Sequence, residues 1–414
     1  MLSLQSRHRL DIRLRHFAYA LLASAWARDA DGLSSRLEAA WSPDGRGLAC
    51  RSVRSGFHLL LEALALPEGA EVLVSAVTHP DMVRVLRAHG LVAVPVDLDP
   101  ATLAPLVEHA ERLVGPRTEA ILIAHLFGGR IDVGPVAAFA RRHGLLLWED
   151  CAQAFTGPGD IGDPRADVSM YSFGALKTCT ALGGALLTVK DAGLRARMLT
   201  MQSRWQWQGS RAYAAVVLKF LAFRLITRPI PYALIALAYR RNFDQLVNSS
   251  VRAFRRGSLL PQLELQPSAP LLATLAHRLR TFDSARLRRR ARAGESLAAH
   301  LPDDVRLLGT HMASRTHWLF PVVSAQPDSL IRASRRVGID AARAASSVTV
   351  VDPPADRPES EALAARKMMR AIVFLPAYPE LPPRARARLV AAIAGATAKP
   401  HAQAEAAPRE VRPA

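Results

Sequence analysis

Between residues 51 and 200 the spacing of apolar positions switches repeatedly between two regimes. Continuous apolar runs of strand length, EVLVSAV (71–77), LVAVPVDLD (91–99), AILIAHLF (120–127), LLLWED (145–150), ADVSMYSF (166–173) and ALLTV (185–189), stand apart from stretches with helical spacing, PDMVRVLRAHG (80–90) and VGPVAAFARRHG (133–144). Both helical stretches end on glycine, a common helix stop. Strands that alternate with helices indicate βαβ units. A sheet covered on both faces has strands that are apolar on both sides, which is how these runs read. The pattern predicts an α/β domain on a mainly parallel sheet.

The pattern changes elsewhere. Residues 211 to 240, RAYAAVVLKFLAFRLITRPIPYALIALAYR, are apolar and basic and are split by Pro229 and Pro231. Neither half reaches the roughly 20 apolar residues of a spanning helix. Two readings compete: a pair of helices packed on the domain or on a partner subunit, or a proline-broken hairpin lying in one leaflet of a membrane. Beyond Pro267, PLLATLAHRLRTFDSARLRRRARAGESLAAHL reads as one long solvent-backed helix whose arginine run (286–292) is a solvated face. WLFPVV (318–323), PDSLIRASRRVG and AIVFLPAYPELP (371–382) then suggest a mixed α+β unit. At the N-terminus an Arg-rich stretch precedes FAYALLASAWA (17–27). A short signal peptide is one reading and an amphipathic helix on a partner subunit the preferred one. The expected organisation is an N-terminal arm (1–30), a large domain (31–210), an apolar basic insert (211–255), a small domain (256–398) and a disordered tail (399–414).

Composition adds limits. The 414 residues are half apolar, enough for two cores. The net charge of +18 comes almost wholly from arginine; the lysines are Lys177, Lys190, Lys219, Lys367 and Lys399. A basic balance favours anionic partners, but no nucleic-acid module and no zinc-spaced Cys/His set is present, so neither nucleic acid nor metal is expected. Cys50, Cys151 and Cys179 form no disulfide framework, which suits a reducing, cytoplasmic compartment.

The chemistry concentrates in residues 145–185. Asp150 closes a buried strand, and ligands bind at the carboxyl ends of strands in open parallel sheets. A buried carboxylate needs a partner. A protonated pyridine nitrogen is one; the N-terminus of a helix at CAQAF is another. Gln153, one turn on, suits a ring hydroxyl. Lys177 lies in YSFGALKTCTALGGA, on a glycine-bearing turn beside a strand end. Burial and neighbouring cations lower a lysine pKa and free its amine. Upstream, RSVRSGFHLLLEAL (51–64) reads as a turn opening a helix, with Ser55, Gly56 and Phe57 as phosphate contacts and Ser172 adding a hydroxyl. An ordinary helix start reads the same way.

These residues, with SGFHLLLEAL, PEGAEVLVSAVTHPDM, VPVDLDPATL, TEAILIAHLFGGRIDVGPVAAFARRHGLLLWEDCAQAF and YSFGALKTCTALGGALLT in order, resemble the DegT/DnrJ/StrS family of pyridoxal-phosphate (PLP)-dependent sugar aminotransferases. VFLPAYPELP resembles the family's closing motif. The resemblance implies an aspartate aminotransferase-like PLP-dependent transferase fold, with a mainly parallel seven-stranded sheet in the large domain and a smaller α+β C-terminal domain. It implies that Lys177 is the Schiff-base lysine, Asp150 the pyridine-nitrogen acid, and Gln153 the neighbour of the ring hydroxyl. Ser172 and Ser55-Gly56-Phe57 become phosphate contacts. His79 stands where the family stacks an aromatic on the ring; before Pro80 it also reads as a turn histidine. Three features depart. The Gly-x-Asn-x-Arg-like stretch that reaches the neighbouring subunit's phosphate reads RRGSLLPQLELQPS (255–268), without asparagine, leaving Arg255 or Arg256 as electrostatic substitutes. Leu182 replaces an acid. The 211–250 insert is atypical.

The implied function is transfer of an amino group from an amino acid, glutamate by expectation, to a nucleotide-linked keto-sugar by a cytoplasmic homodimer, with peripheral membrane contact through 211–240 left open. Elimination or dehydration on the same fold, and a non-catalytic role in binding a membrane or protein, are the alternatives.

Overall fold

The computed structural model describes residues 3–7, 9–238, 260–343 and 348–397. The insert beyond Ala238, Arg255, Arg256 and the tail 399–414 lie outside the described residues. The large sheet has seven strands: β1 (Gly47–Cys50), β2 (Glu71–Ser75), β3 (Val92–Val96), β4 (Thr118–Ala124), β5 (Leu146–Asp150), β6 (Val168–Ser172) and β7 (Ala185–Val189). Their order is β1-β7-β6-β5-β4-β2-β3. Strands β2 to β6 pair in parallel, and β7 runs antiparallel to both β6 and β1. Each of the six runs read from the sequence is a strand. The short β1, GLAC, was not read, because four residues of mixed size carry no period.

Helices cover both faces, so the strands are buried on both sides. On one face α2 (Val53–Leu64) and α3 (Pro80–Ala88) pack with Trp148 and Leu187. On the other, Gly134–Arg142 packs Val136 and Phe139 against Ile121 and Leu147.

The N-terminal apolar run forms α1 (Leu14–Trp26), with Phe17, Ala20 and Ala23 buried. It packs on α4 (Ser210–Ile226) and α6 (Ala269–Arg280) of its own chain. Helices α4 and α5 (Pro229–Ala238) meet at 85°. Both prolines sit in the first turn of α5, where no intrahelical N–H is needed.

The expected single helix after Pro267 is two, α6 and α7 (Ser284–Ala298). Asp283 breaks it by accepting the Arg286 N–H at 2.8 Å as the N-cap of α7. Helix α6 is core, with Leu271, Leu272 and Leu275 buried, and not solvent-backed. The arginine run is likewise no plain solvated face. Arg290 is buried and donates to the Thr316 carbonyl at 2.8 Å, and Arg286 pairs with Asp11 and Glu380 at 2.7 Å each.

The C-terminal unit is a small antiparallel sheet, β8 (Val305–Leu307), β9 (Phe320–Ser324) and β10 (Ile372–Leu375) in that order, covered by Pro327–Arg336 and Pro383–Thr397. Its tie to the N-terminus is a buried ion pair, Arg7 Nε to Asp340 Oδ2 at 2.7 Å, to which the Tyr232 hydroxyl of α5 donates at 2.6 Å.

Candidate active site

The carboxyl ends of β5 and β6 open onto a cavity of about 650 Å³. Lys177, Asp150, Gln153, Ser172 and His79 all line it. Among the described residues the cationic side chains on its wall are Arg51, Arg54, Arg84 and Lys177, and they face the carboxylates Asp81 and Asp150.

Asp150 is buried at the end of β5. Its Oδ1 accepts the Ala152 N–H at 2.9 Å, which makes a turn; no helix starts at CAQAF. Burial raises its pKa, and Lys177 and His125 oppose the rise. The acid thus sits where a cation at short range would keep it ionised. Gln153 has its Oε1 fixed by the Phe127 N–H at 2.8 Å, which leaves its amide nitrogen to donate.

Lys177 lies on the turn after β6, its N–H donating to the Gly174 carbonyl at 2.9 Å. Burial lowers its pKa to about 8; Arg54 pushes the same way and Asp150 opposes. A substantial neutral fraction near neutrality is what a nucleophilic amine needs. Its Nζ lies 4.6 Å from the centre of the Trp318 ring. That ring is held by its own Nε1–H, which donates to the Leu176 carbonyl at 2.7 Å.

Ser172 lines the cavity and its Oγ accepts the Gly174 N–H at 3.3 Å. His79 is the turn histidine before Pro80, and it also reaches the cavity. Its Nδ1 accepts the Asp81 N–H at 3.2 Å and caps α3, and its ring lines the cavity.

The expected phosphate contacts are corrected by one turn. Ser52 caps α2, its Oγ accepting the Ser55 N–H at 3.1 Å, so the helix begins at Val53. Ser55, Gly56 and Phe57 are inside it and buried, away from the cavity. Ser55 Oγ meets Ser52 Oγ at 3.0 Å, and the Phe57 ring packs edge-on against Trp148. Gly56 is a packing residue: a Cβ there would stand 2.7 Å from Leu187 Cδ1. The residues at the cavity are Ser52, Val53 and Arg54. The legible signal was Ser52 itself, an N-cap three residues before another serine.

Sequence reasoning also missed Arg54, Arg51 and Trp318. Arg54 Nη1 donates to the buried Asp81 at 2.9 Å, which Arg84 also contacts at 3.1 Å. Among the described residues one group of metal-ligating types lies close together, His125, Glu149 and Cys151. Its atoms are already paired. His125 Nε2 and Glu149 Oε1 are 2.8 Å apart, the Ile131 N–H donates to His125 Nδ1 at 3.2 Å, and the Asp163 N–H donates to Glu149 at 2.8 Å. This buried network props up the strand that carries Asp150.

The residues fit PLP. The ring requires an amine, an acid for the pyridine nitrogen, and a cationic or N–H-rich place for the phosphate. Lys177 and Asp150 supply the first two in one cavity. For the third, the first-turn N–H groups of α2 have no intrahelical partners. Nearby, the buried Nε of Arg51 has no hydrogen-bond partner.

Comparison with known proteins agrees. Residues 36–216 match the model of the DegT/DnrJ/EryC1/StrS aminotransferase family. A GDP-perosamine synthase of Caulobacter vibrioides is 29% identical over 214 residues, 50% of this chain and 58% of that protein. A UDP-N-acetyl-3-dehydro-alpha-D-glucosamine 3-aminotransferase of Acidithiobacillus ferrooxidans is 32% identical over 169 residues, 39% of this chain and 45% of that protein. The matched segments thus span about half the length of those relatives. In fold, the sugar aminotransferase CalS13 from Micromonospora echinospora superposes with a TM-score of 0.68 at 19% identity, covering 94% of this chain and 99% of that one. Through residues 36–216, this chain is similar to the DegT/DnrJ/EryC1/StrS aminotransferase family.

Proposed function

We propose that this chain is a PLP-dependent aminotransferase that moves the amino group of an amino acid, glutamate by preference, to a keto-sugar carried on a nucleotide. The observation that carries the reading is the shared cavity: a buried amine with a lowered pKa and a buried acid face the same space, next to an arginine-rich wall.

Bound PLP supplies an electron sink for the carbanion formed at the donor's α-carbon. Asp150 keeps the pyridine nitrogen protonated by offering it a buried negative charge. Lys177 anchors the cofactor in the resting state. Its Nζ would also take the proton from the donor's α-carbon and return it, as general base and then acid. Gln153 orients the ring through its amide. Ser52, Val53 and Arg54 at the start of α2, with Ser172, hold the phosphate. Arg84 and Arg51 leave positive charge for an anionic acceptor, and the nucleotide-sugar names of the two relatives support that class. The same reading has the enzyme work in the cytoplasm as a homodimer, with peripheral contact to a membrane through residues 211–240.

The test needs no acceptor. Glutamate added to the cofactor-loaded protein should shift its visible absorbance and release one 2-oxoglutarate per site. Catalytic deamination without an acceptor would mark elimination, and no release at all would remove the enzyme reading.

A further inference from the structure

Helix α4 has two working faces. Tyr213, Val216 and Phe220 form part of the cavity wall. On the outer side Ala215, Leu218, Ala222 and Leu225 recur at helical spacing and are exposed. Helix α5 repeats the arrangement with Ile230, Leu234 and Leu237, the first and last 63% and 62% exposed. Ile226 joins the two stripes at the 85° corner. Soluble surfaces carry single exposed apolar residues; two contiguous stripes on adjoining helices mark an interaction site.

The chemistry around the stripes says what fits. Residues 210–238 contain no aspartate or glutamate, while Arg211, Lys219, Arg224 and Arg228 are spaced along them. The start of α1 adjoins the end of α4, because Arg13, Arg15 and Arg224 line one cavity of about 110 Å³. Among the described residues that cavity is walled by Arg9, Arg13, Arg15, Arg224, Arg278, Arg286, Arg289 and Arg290, eight arginines, against Asp11, Asp283 and Glu380, three carboxylates. His16, also on the wall, is neutral at physiological pH, held down to about 3 by burial and the neighbouring arginines. Exposed apolar and basic side chains alternate along the rim: Arg13, Leu14, Arg15 on α1, and Leu225, Ile226, Arg228, Ile230 at the corner.

We propose that this corner docks on an anionic phospholipid surface. Leu225, Ile226, Ile230, Leu234 and Leu237 enter the headgroup–acyl boundary, and Arg15 and Arg228 meet lipid phosphates. Helices α4 and α5, of 17 and 10 residues, are each too short to cross a bilayer, and their bend suits shallow insertion. The composition selects lipid over protein: an apolar stripe whose own helices carry cations and no acids, beside a corner where arginines outnumber carboxylates, matches an anionic interface. Because the opposite face of α4 walls the cavity, docking places that wall of the active site against the membrane. The docking itself does not depend on the reaction.

Full-length protein is sedimented with vesicles of phosphatidylcholine alone and of phosphatidylcholine mixed with phosphatidylglycerol. We expect binding to the mixed vesicles only. The combined Leu225→Gln, Ile226→Gln, Ile230→Gln variant should bind at least about tenfold more weakly, and so should Arg15→Glu, Arg228→Glu, with circular dichroism unchanged. Added salt should weaken the wild type. Absence of wild-type binding, or binding indifferent to both variants, overturns the proposal. So does a glutamine variant that changes the oligomeric state in light scattering without changing lipid binding; the surface would then cover a second copy of the chain.

Discussion

Lys177 carries a pH signature that follows from its surroundings. Burial and Arg54 favour its neutral form, Asp150 its charged form, and the balance lies at about 8. The neutral amine is the species that captures the cofactor's aldehyde. The rate of PLP uptake by cofactor-free protein should therefore rise about tenfold per pH unit below 8 and level off above it. Two substitutions should move this midpoint in opposite directions. Arg54→Gln removes a neighbouring positive charge, so the lysine pKa rises and the midpoint moves to higher pH. Asp150→Asn removes the negative charge that favours the ammonium, so the midpoint moves to lower pH. Stopped-flow absorbance across pH checks both signs. In the loaded enzyme, Asp150→Asn should also lower turnover by about two orders of magnitude or more, the usual effect of losing a preorganised charge that acts on the transition state. If Arg54 holds the phosphate, then at a pH well above the lysine midpoint, where the amine is neutral in both proteins, Arg54→Ala should weaken binding of PLP and leave binding of pyridoxal, which lacks that group, unchanged. Equal losses for both would contradict that role.

At the scale of elements, the turn at Gly128 in the large domain meets residues 316–318 of the C-terminal unit by a close backbone approach. Gly128 has φ +90°, and a Cβ there would stand 2.4 Å from the Trp318 backbone nitrogen. Gly128→Ala should cost about 1–3 kcal/mol in chemical denaturation and should displace the ring that lies over Lys177. Quenching of tryptophan fluorescence by bound PLP should fall with it. Six of the seven strands of the large sheet, with Asp150 and Lys177 at the cavity, were legible from sequence because burial on both faces writes continuous apolar runs, and because one lysine stood apart in an arginine-rich chain. The start of α2 was not. Gly56 looked like a turn glycine, although its lack of a Cβ serves packing against Leu187. Arg54 looked like surface charge, although it turns back to Asp81. The break between α6 and α7 depended on one capping aspartate inside a helical period. Trp318 reaches the site from the small sheet's side, a long-range placement that no local pattern encodes.

The whole molecule is closed by contacts between distant parts of the chain. Arg7 and Asp340 are ion-paired with side chains 1% and 0% exposed, and Tyr232 donates to the same carboxylate. Removing one member of a buried pair strands the other charge, so Arg7→Ala should lose about 3 kcal/mol or more of stability, read by urea unfolding. Because Tyr232 belongs to α5, the same change should loosen the helix pair proposed to meet lipid. The arrangement as a whole puts one amine and one acid at a single cavity between the sheet edge and α4. The most direct test is to reduce the PLP-loaded protein with borohydride, digest it and locate the trapped cofactor by mass spectrometry. The phosphopyridoxyl group is expected on the peptide carrying Lys177 and nowhere else. Its absence from that residue, or its presence on another lysine, would contradict the account.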